Sequence, residues 1–204
     1  MAKDGTMMLT EMTTVAALAL PVQALKDHLR LGSGFTEDGL QDGLIEAYLR
    51  AAIAVVEGRI GKVLLQKRFK LVLEDWRSAD EQALPVAPVS AVVSASVVDA
   101  SGVALVLDAA RYRLVQDIHR PKMAAVGVLL PTVPTDGRAE VVFDAGFGAT
   151  WAAVPVDLAQ AVLLLAAEYY ETRQPGDAGA SGLPFPVQAL IERWRTVRLL
   201  GGRA

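Results

Sequence analysis

There is no cysteine in this chain of 204 residues, and only two histidines, His28 and His119. The first absence removes disulfides, thiolate nucleophiles and cysteine-ligated zinc, although it says little about compartment. The second leaves little material for a metal centre or an imidazole base. His28 lies between Lys26 and Arg30 on the polar shoulder of a helical segment, with no carboxylate or histidine three or four residues away; it reads as an exposed or capping side chain. His119, in "QDIHRPK", reads as a loop residue.

A basic excess is also missing. The net charge is −3 and the pI about 5.4, so no overall field attracts nucleic acid or an anionic membrane. Long apolar runs are missing too. Val15 to Leu20 makes a poor signal peptide, being short and preceded by Asp4 and Glu11 against a single Lys3. Leu158 to Ala167 is interrupted by Gln160 and falls short of the ~20 residues that span a bilayer. The expectation is a cytosolic or particle-borne protein that does not engage membranes.

Catalytic motifs are equally scarce. There is no P-loop, serine nucleophile elbow or HExxH. "AGFGA" (145–149) follows a predicted strand but lacks the third glycine of a dinucleotide turn. Glu37, Asp38, Asp42 and Glu46 cluster without calcium-loop spacing and read as a solvated helix face. No catalytic residue, cofactor or metal is assigned.

What the chain has in excess is apolar surface. Counted with glycine and without tyrosine, the apolar share is about 58%, against about 45–50% in ordinary soluble domains. Either an alanine- and valine-rich composition accounts for this, or subunit contacts bury the surplus.

Three zones follow, together predicting an α+β fold in which a helical body carries an inserted antiparallel β subdomain. In the first, a helix starts at Pro21 with Val22, Ala24, Leu25 and Leu29 at helical spacing, and Gly32-Ser33-Gly34 stops it. A second helix starts at Thr36 as N-cap, with Leu40, Leu44, Tyr48, Ala51 and Val55 on one face, and ends near Gly61. Gly39 and Gly43 inside it mean a loose first turn or a close backbone neighbour. The second zone has strand spacing: Phe69 to Glu74, two strands joined by Asp99-Ala100-Ser101-Gly102, then Tyr112–Gln116, Val126–Leu130 and Glu140–Asp144, punctuated by prolines. In the third, Pro155 and Asp157 open a helix so apolar that it belongs at the centre of the body. The expected organisation is an arm at 1–19, a helical body of 20–61 and 154–204, and a β subdomain at 62–148.

After the linker-like "QPGDAGASGLPFP" comes a terminal helix with four arginines against one glutamate from Pro186 to Ala204. Val187, Leu190, Ile191, Trp194 and Val197 form its apolar stripe. It either packs on its own body with a basic outer face or docks on a partner, since tryptophan and arginine carry much interface energy. The docking candidates are Leu190, Ile191, Arg193, Trp194, Arg195, Val197, Arg198, Leu199, Leu200 and Arg203.

Five stretches, in order, resemble one family. They are "LPVQALKDHLRL" (20–31), "LIEAYLRAAIAVVEGRIGKVLLQKRFKLVLEDW" (44–76), "LPVAPVSAVVSASVVDASG" (84–102), "VVFDAGFG" (141–148) and "VPVDLAQAVLLLAAEYYETRQ" (154–174). The set is similar to the head–tail connector, or adaptor, proteins of long-tailed phages and phage-derived gene transfer agents. Overall similarity and alanine-rich composition favour the gene transfer agent.

That resemblance implies a structural protein, not an enzyme. Made in the host cytoplasm, it would form a homo-oligomeric ring, usually a dodecamer, at the head–tail junction. The helical body would build the ring and the C-terminal segment would dock on the portal protein. A stopper or tail would attach beneath, and DNA would pass through without sequence-specific binding. Rival readings are another connector layer, such as a stopper or tail terminator, or a ligand-binding module or enzyme. The first nineteen residues match nothing in the family pattern.

Overall fold

The computed structural model describes residues 6–30, 39–172 and 182–195. The fold is α+β, and the chain divides into two compact units, each assembled from two separate stretches: a sheet unit of residues 1–15 and 65–147, and a helical unit of residues 16–64 and 148–204.

Among the described residues the sheet unit holds eight strands: β1 (Met7–Glu11), β2 (Lys67–Leu73), β3 (Glu81–Ala83), β4 (Val89–Val98), β5 (Ala104–Val106), β6 (Tyr112–Val115), β7 (Lys122–Ala125) and β8 (Arg138–Ala145). Five form an antiparallel sheet in the order β1-β2-β8-β4-β5, and three a small antiparallel sheet in the order β3-β7-β6. Alternation sets the faces of the larger sheet. Phe69, Leu71 and Leu73 lie opposite Phe143, Val141 and Ala139, all buried, and the two phenylalanine rings stack at 5.7 Å. Such a ring pair adds about 0.5–1.5 kcal/mol beyond its buried area. On the other face Arg68 makes two bonds to Asp144, of 2.7 and 2.9 Å, and Glu140 sits between Lys70 and Arg138, each 2.7 Å away. Burial pushes the Glu140 carboxyl up, but its bonds to Lys70 and Arg138 outweigh this and hold it below its ordinary value.

Turn chemistry does the rest. Gly102 adopts φ +87° in the β4–β5 hairpin, as its position predicts, and Asp99 accepts hydrogen bonds from the N–H groups of Ser101 and Val103. The glycines of "AGFGA" also have a packing reason. Gly146 stands at φ +134°, where a Cβ would lie 2.6 Å from the backbone of Gln66. A strand expected at Val126–Leu130 is instead β7, four residues earlier. Gly127, at φ +76°, turns the chain away after Ala125. Residues 7–11, expected in an arm, are the edge strand β1. Backbone bonds to β2 hold it, so its own side chains need little burial.

The helical unit contains α1 (Val22–His28), α2 (Gly39–Ile60), α3 (Val156–Glu171) and α4 (Phe185–Ile191). The buried face of α2 is Ile45, Leu49, Ala52, Val56 and Ile60. It lies one residue, about 100°, around from the expected stripe. Leu44 and Ala51 are exposed, and Tyr48 is half-buried with its ring edge-on to Tyr170 at 6.3 Å. Both stripes are apolar and of similar bulk, and the one without a phenol hydroxyl is the one that is buried. Among the described residues nothing lies within 4 Å of where a Cβ of Gly43 would stand, so none of them requires the glycine. The expected N-cap, Thr36, lies outside the described residues. Leu158, Ala161, Val162, Leu165 and Ala166 bury α3 as its composition predicts. Among the described residues, no helix is long and apolar enough to cross a membrane.

Candidate functional site

The terminal segment builds upward from α3. Asp157 stands in the first turn of α3, where a carboxylate suits the helix dipole, and its Oδ1 accepts the N–H of Leu158 at 3.0 Å. Its Oδ2 takes two further donors from the far end of the chain, Trp194 Nε1 and Arg193 Nε, both at 2.7 Å. The Arg193 guanidinium lies 4.9 Å from the Trp194 ring centroid. One carboxylate thus fixes an indole and a guanidinium that also stack on each other.

Pro184 and Pro186 pre-set the start of α4, which buries Val187 and Ile191 and leaves Leu190 half-buried. The helix does not run on as expected. It tightens into a 3₁₀ turn over Glu192–Trp194, and Arg195 is extended at ψ 135°. A helix continuing at 100° per residue has no means of choosing this exit; the tertiary bonds to Asp157 supply it. Arg195 pairs with Glu192 at 3.2 Å, beside a cleft of about 280 Å³ lined by Arg59, Leu183 and Gln188.

The predicted candidates therefore separate. Ile191 belongs to the protein's own core and Trp194 is tied to α3, while Arg193 and Arg195 stay exposed. Val197, Arg198, Leu199, Leu200 and Arg203 lie outside the described residues. Asp157 was legible only as a helix-start acid, because its partners are 36 and 37 residues away.

The other polar candidates are dispersed. His28 and His119 are exposed in different units. Asp42 pairs with Lys26, and Glu46 bonds Arg50 at 2.8 Å. Among the described residues no three histidine, aspartate or glutamate side chains group as metal ligands.

No protein-family model and no curated protein matches the chain. Solved structures do. A chain in the neck of an empty gene transfer agent particle, computed with C6 symmetry, is 55% identical with a TM-score of 0.86, over 97% of this chain and all of that one. A chain in the virion of a native gene transfer agent particle is 55% identical with a TM-score of 0.84, at the same coverage. A chain in the neck of a native particle, computed with C12 symmetry, is 52% identical with a TM-score of 0.82, again at that coverage. With more than half of its residues identical along the whole length of these chains, the protein belongs to the head–tail connectors of gene transfer agent particles.

Proposed function

We propose that this protein is the ring-forming adaptor in the neck of a gene transfer agent particle, docked on the portal and presenting the surface to which the tail side attaches. The observation that carries the reading is the full-length similarity to neck chains, at 55% identity in a particle treated with six-fold symmetry and 52% in one treated with twelve-fold symmetry. Its role is structural. The acidic balance of the chain favours free passage of DNA through such a ring, since an anionic wall gives phosphates nothing to hold.

Portal docking falls to the segment that leaves α4. Arg193 and Arg195 offer exposed cations, and residues 196–204 add Val197, Arg198, Leu199, Leu200 and Arg203. Asp157 acts here as a positioning residue, fixing where that segment departs.

The test is co-sedimentation with purified portal rings, followed by electron microscopy, for the full chain and for one truncated after Arg195. That truncation leaves the buried residues of α4 and the Asp157 bonds in place. The full chain should bind as a ring and the truncated chain at least tenfold more weakly. Equal binding by both would remove portal docking from the terminal segment. Binding by neither would move the protein to another layer of the neck, such as the stopper.

A further inference from the structure

Among the described residues the five-stranded sheet ends in two open edges, both within the sheet unit. One is β1, bonded to β2 on its inner side. The other is β5, bonded to β4 through Ser96–Val98. Both edges carry apolar side chains in water: Met7 and Met8 are 54% and 57% exposed, and Leu105 and Val106 are 65% and 66% exposed. Proteins usually guard such edges with charge, proline or a bulge. The first four residues of β1 and all of β5 carry no charge and no proline.

A ring with cyclic symmetry joins its copies through two different patches, each copy offering one to the neighbour before and the other to the neighbour after. Opposite edges of one sheet are such a pair. We propose that β5 of one copy pairs with β1 of the next, so that neighbouring sheets continue into one another around the ring. This rests on the ring reading above and adds to the contacts of the helical unit.

The strand directions and register make the proposal specific. Antiparallel pairing throughout means that β1 and β5 run the same way. Rotation about the ring axis preserves direction when the strands lie along it, so the intersubunit pair is parallel. One row across the sheet runs Met8, Val72, Glu140, Ser96, Val106; the next runs Met7, Leu73, Ala139, Val97, Leu105. Continued straight, these rows set Met8 beside the neighbour's Val106 and Met7 beside its Leu105, apolar against apolar on both faces.

The cysteine-free chain makes this testable by disulfide trapping in assembled particles. The pairs are Met8→Cys with Val106→Cys and Met7→Cys with Leu105→Cys. Two pairs shifted by two residues, Thr10→Cys with Val106→Cys and Met8→Cys with Ala104→Cys, allow for shear. Under mild oxidation at least one pair should give a ladder of linked multiples, while each single variant stays monomeric because rotation never sets an edge against itself. No ladder from any pair, in particles shown by microscopy to hold the ring, would overturn the edge pairing and leave the ring reading standing. Absence of the native protein from the neck would overturn the ring reading itself. Met8→Asp combined with Val106→Asp should cut ring yield at least tenfold with the melting temperature within 2 °C of native. A drop beyond 5 °C would show that these side chains serve the protein's own fold, against the proposal.

Discussion

The first strand and the last helix are held in opposite ways. β1 is attached through its main chain: five residues pair with β2, and four of its five side chains are exposed. The α4 segment is attached through its side chains, with Val187 and Ile191 buried and Trp194 and Arg193 converging on Asp157. A main-chain attachment tolerates many side chains and leaves an edge free for a partner. A side-chain attachment fixes identity position by position and leaves only what projects beyond it.

The sharpest way to break the contrast is at its buried end. Ile191→Ala should cost about 3 kcal/mol in urea unfolding, as deletion of a buried aliphatic side chain does, whereas Met8→Ser should stay within about 0.5 kcal/mol. A Met8→Ser cost matching that of Ile191→Ala would erase the distinction. Next in size is Asp157→Ala, which leaves the Trp194 N–H and the Arg193 guanidinium without their acceptor. A loss of about 2 kcal/mol is expected, with Asp157→Asn recovering part of it through the indole bond. A loss below about 0.3 kcal/mol for Asp157→Ala would mean that the Asp157 bonds do not hold the terminal segment. Smaller still is Arg68→Ala: its pair with Asp144 is exposed and screened by solvent, so the urea midpoint should stay close to that of the native chain, and a clear drop would show that the pair does more than surface ion pairs do.

Acid offers a further test, through the carboxylate on the charged face of the sheet. The Glu140 carboxyl is held below its ordinary value of 4.5. Its contribution is therefore complete above that value and fades as pH falls through the lower folded one. Melting temperature should decline from about pH 4.5 downward, and Glu140→Gln should flatten part of that decline. An identical acid profile in the variant would remove Glu140 from the account.

Where a residue's environment follows from its neighbours in the chain, the fold was legible. The alternation of Phe69, Leu71 and Leu73 with charged and half-exposed residues announced β2, and the Asp99–Gly102 turn announced the hairpin. The α2 face was missed because two adjacent stripes are both apolar, so periodicity identifies the helix without choosing its rotation. β1 was missed because an edge strand needs no buried alternation. The end of α4 was missed because Asp157 lies far away in sequence. For the same reason the terminal candidates were a mixture, with Ile191 buried and Trp194 bonded to α3, while Arg193 and Arg195 stay exposed even though they pair with Asp157 and Glu192.

That each unit is made of two stretches bears on how the chain is made. β1 is synthesised about sixty residues before β2, a wait of roughly 3–12 s at about 5–20 residues per second. β8, the other partner of β2, follows about seventy residues later. Closing such long loops is slow compared with a local hairpin. A fragment of residues 65–147, although contiguous, would leave β2 as a new bare edge of seven residues. The sheet unit is therefore a poor candidate for isolated expression, and its solubility depends on a strand translated a minute's fraction earlier that has had to wait for its place.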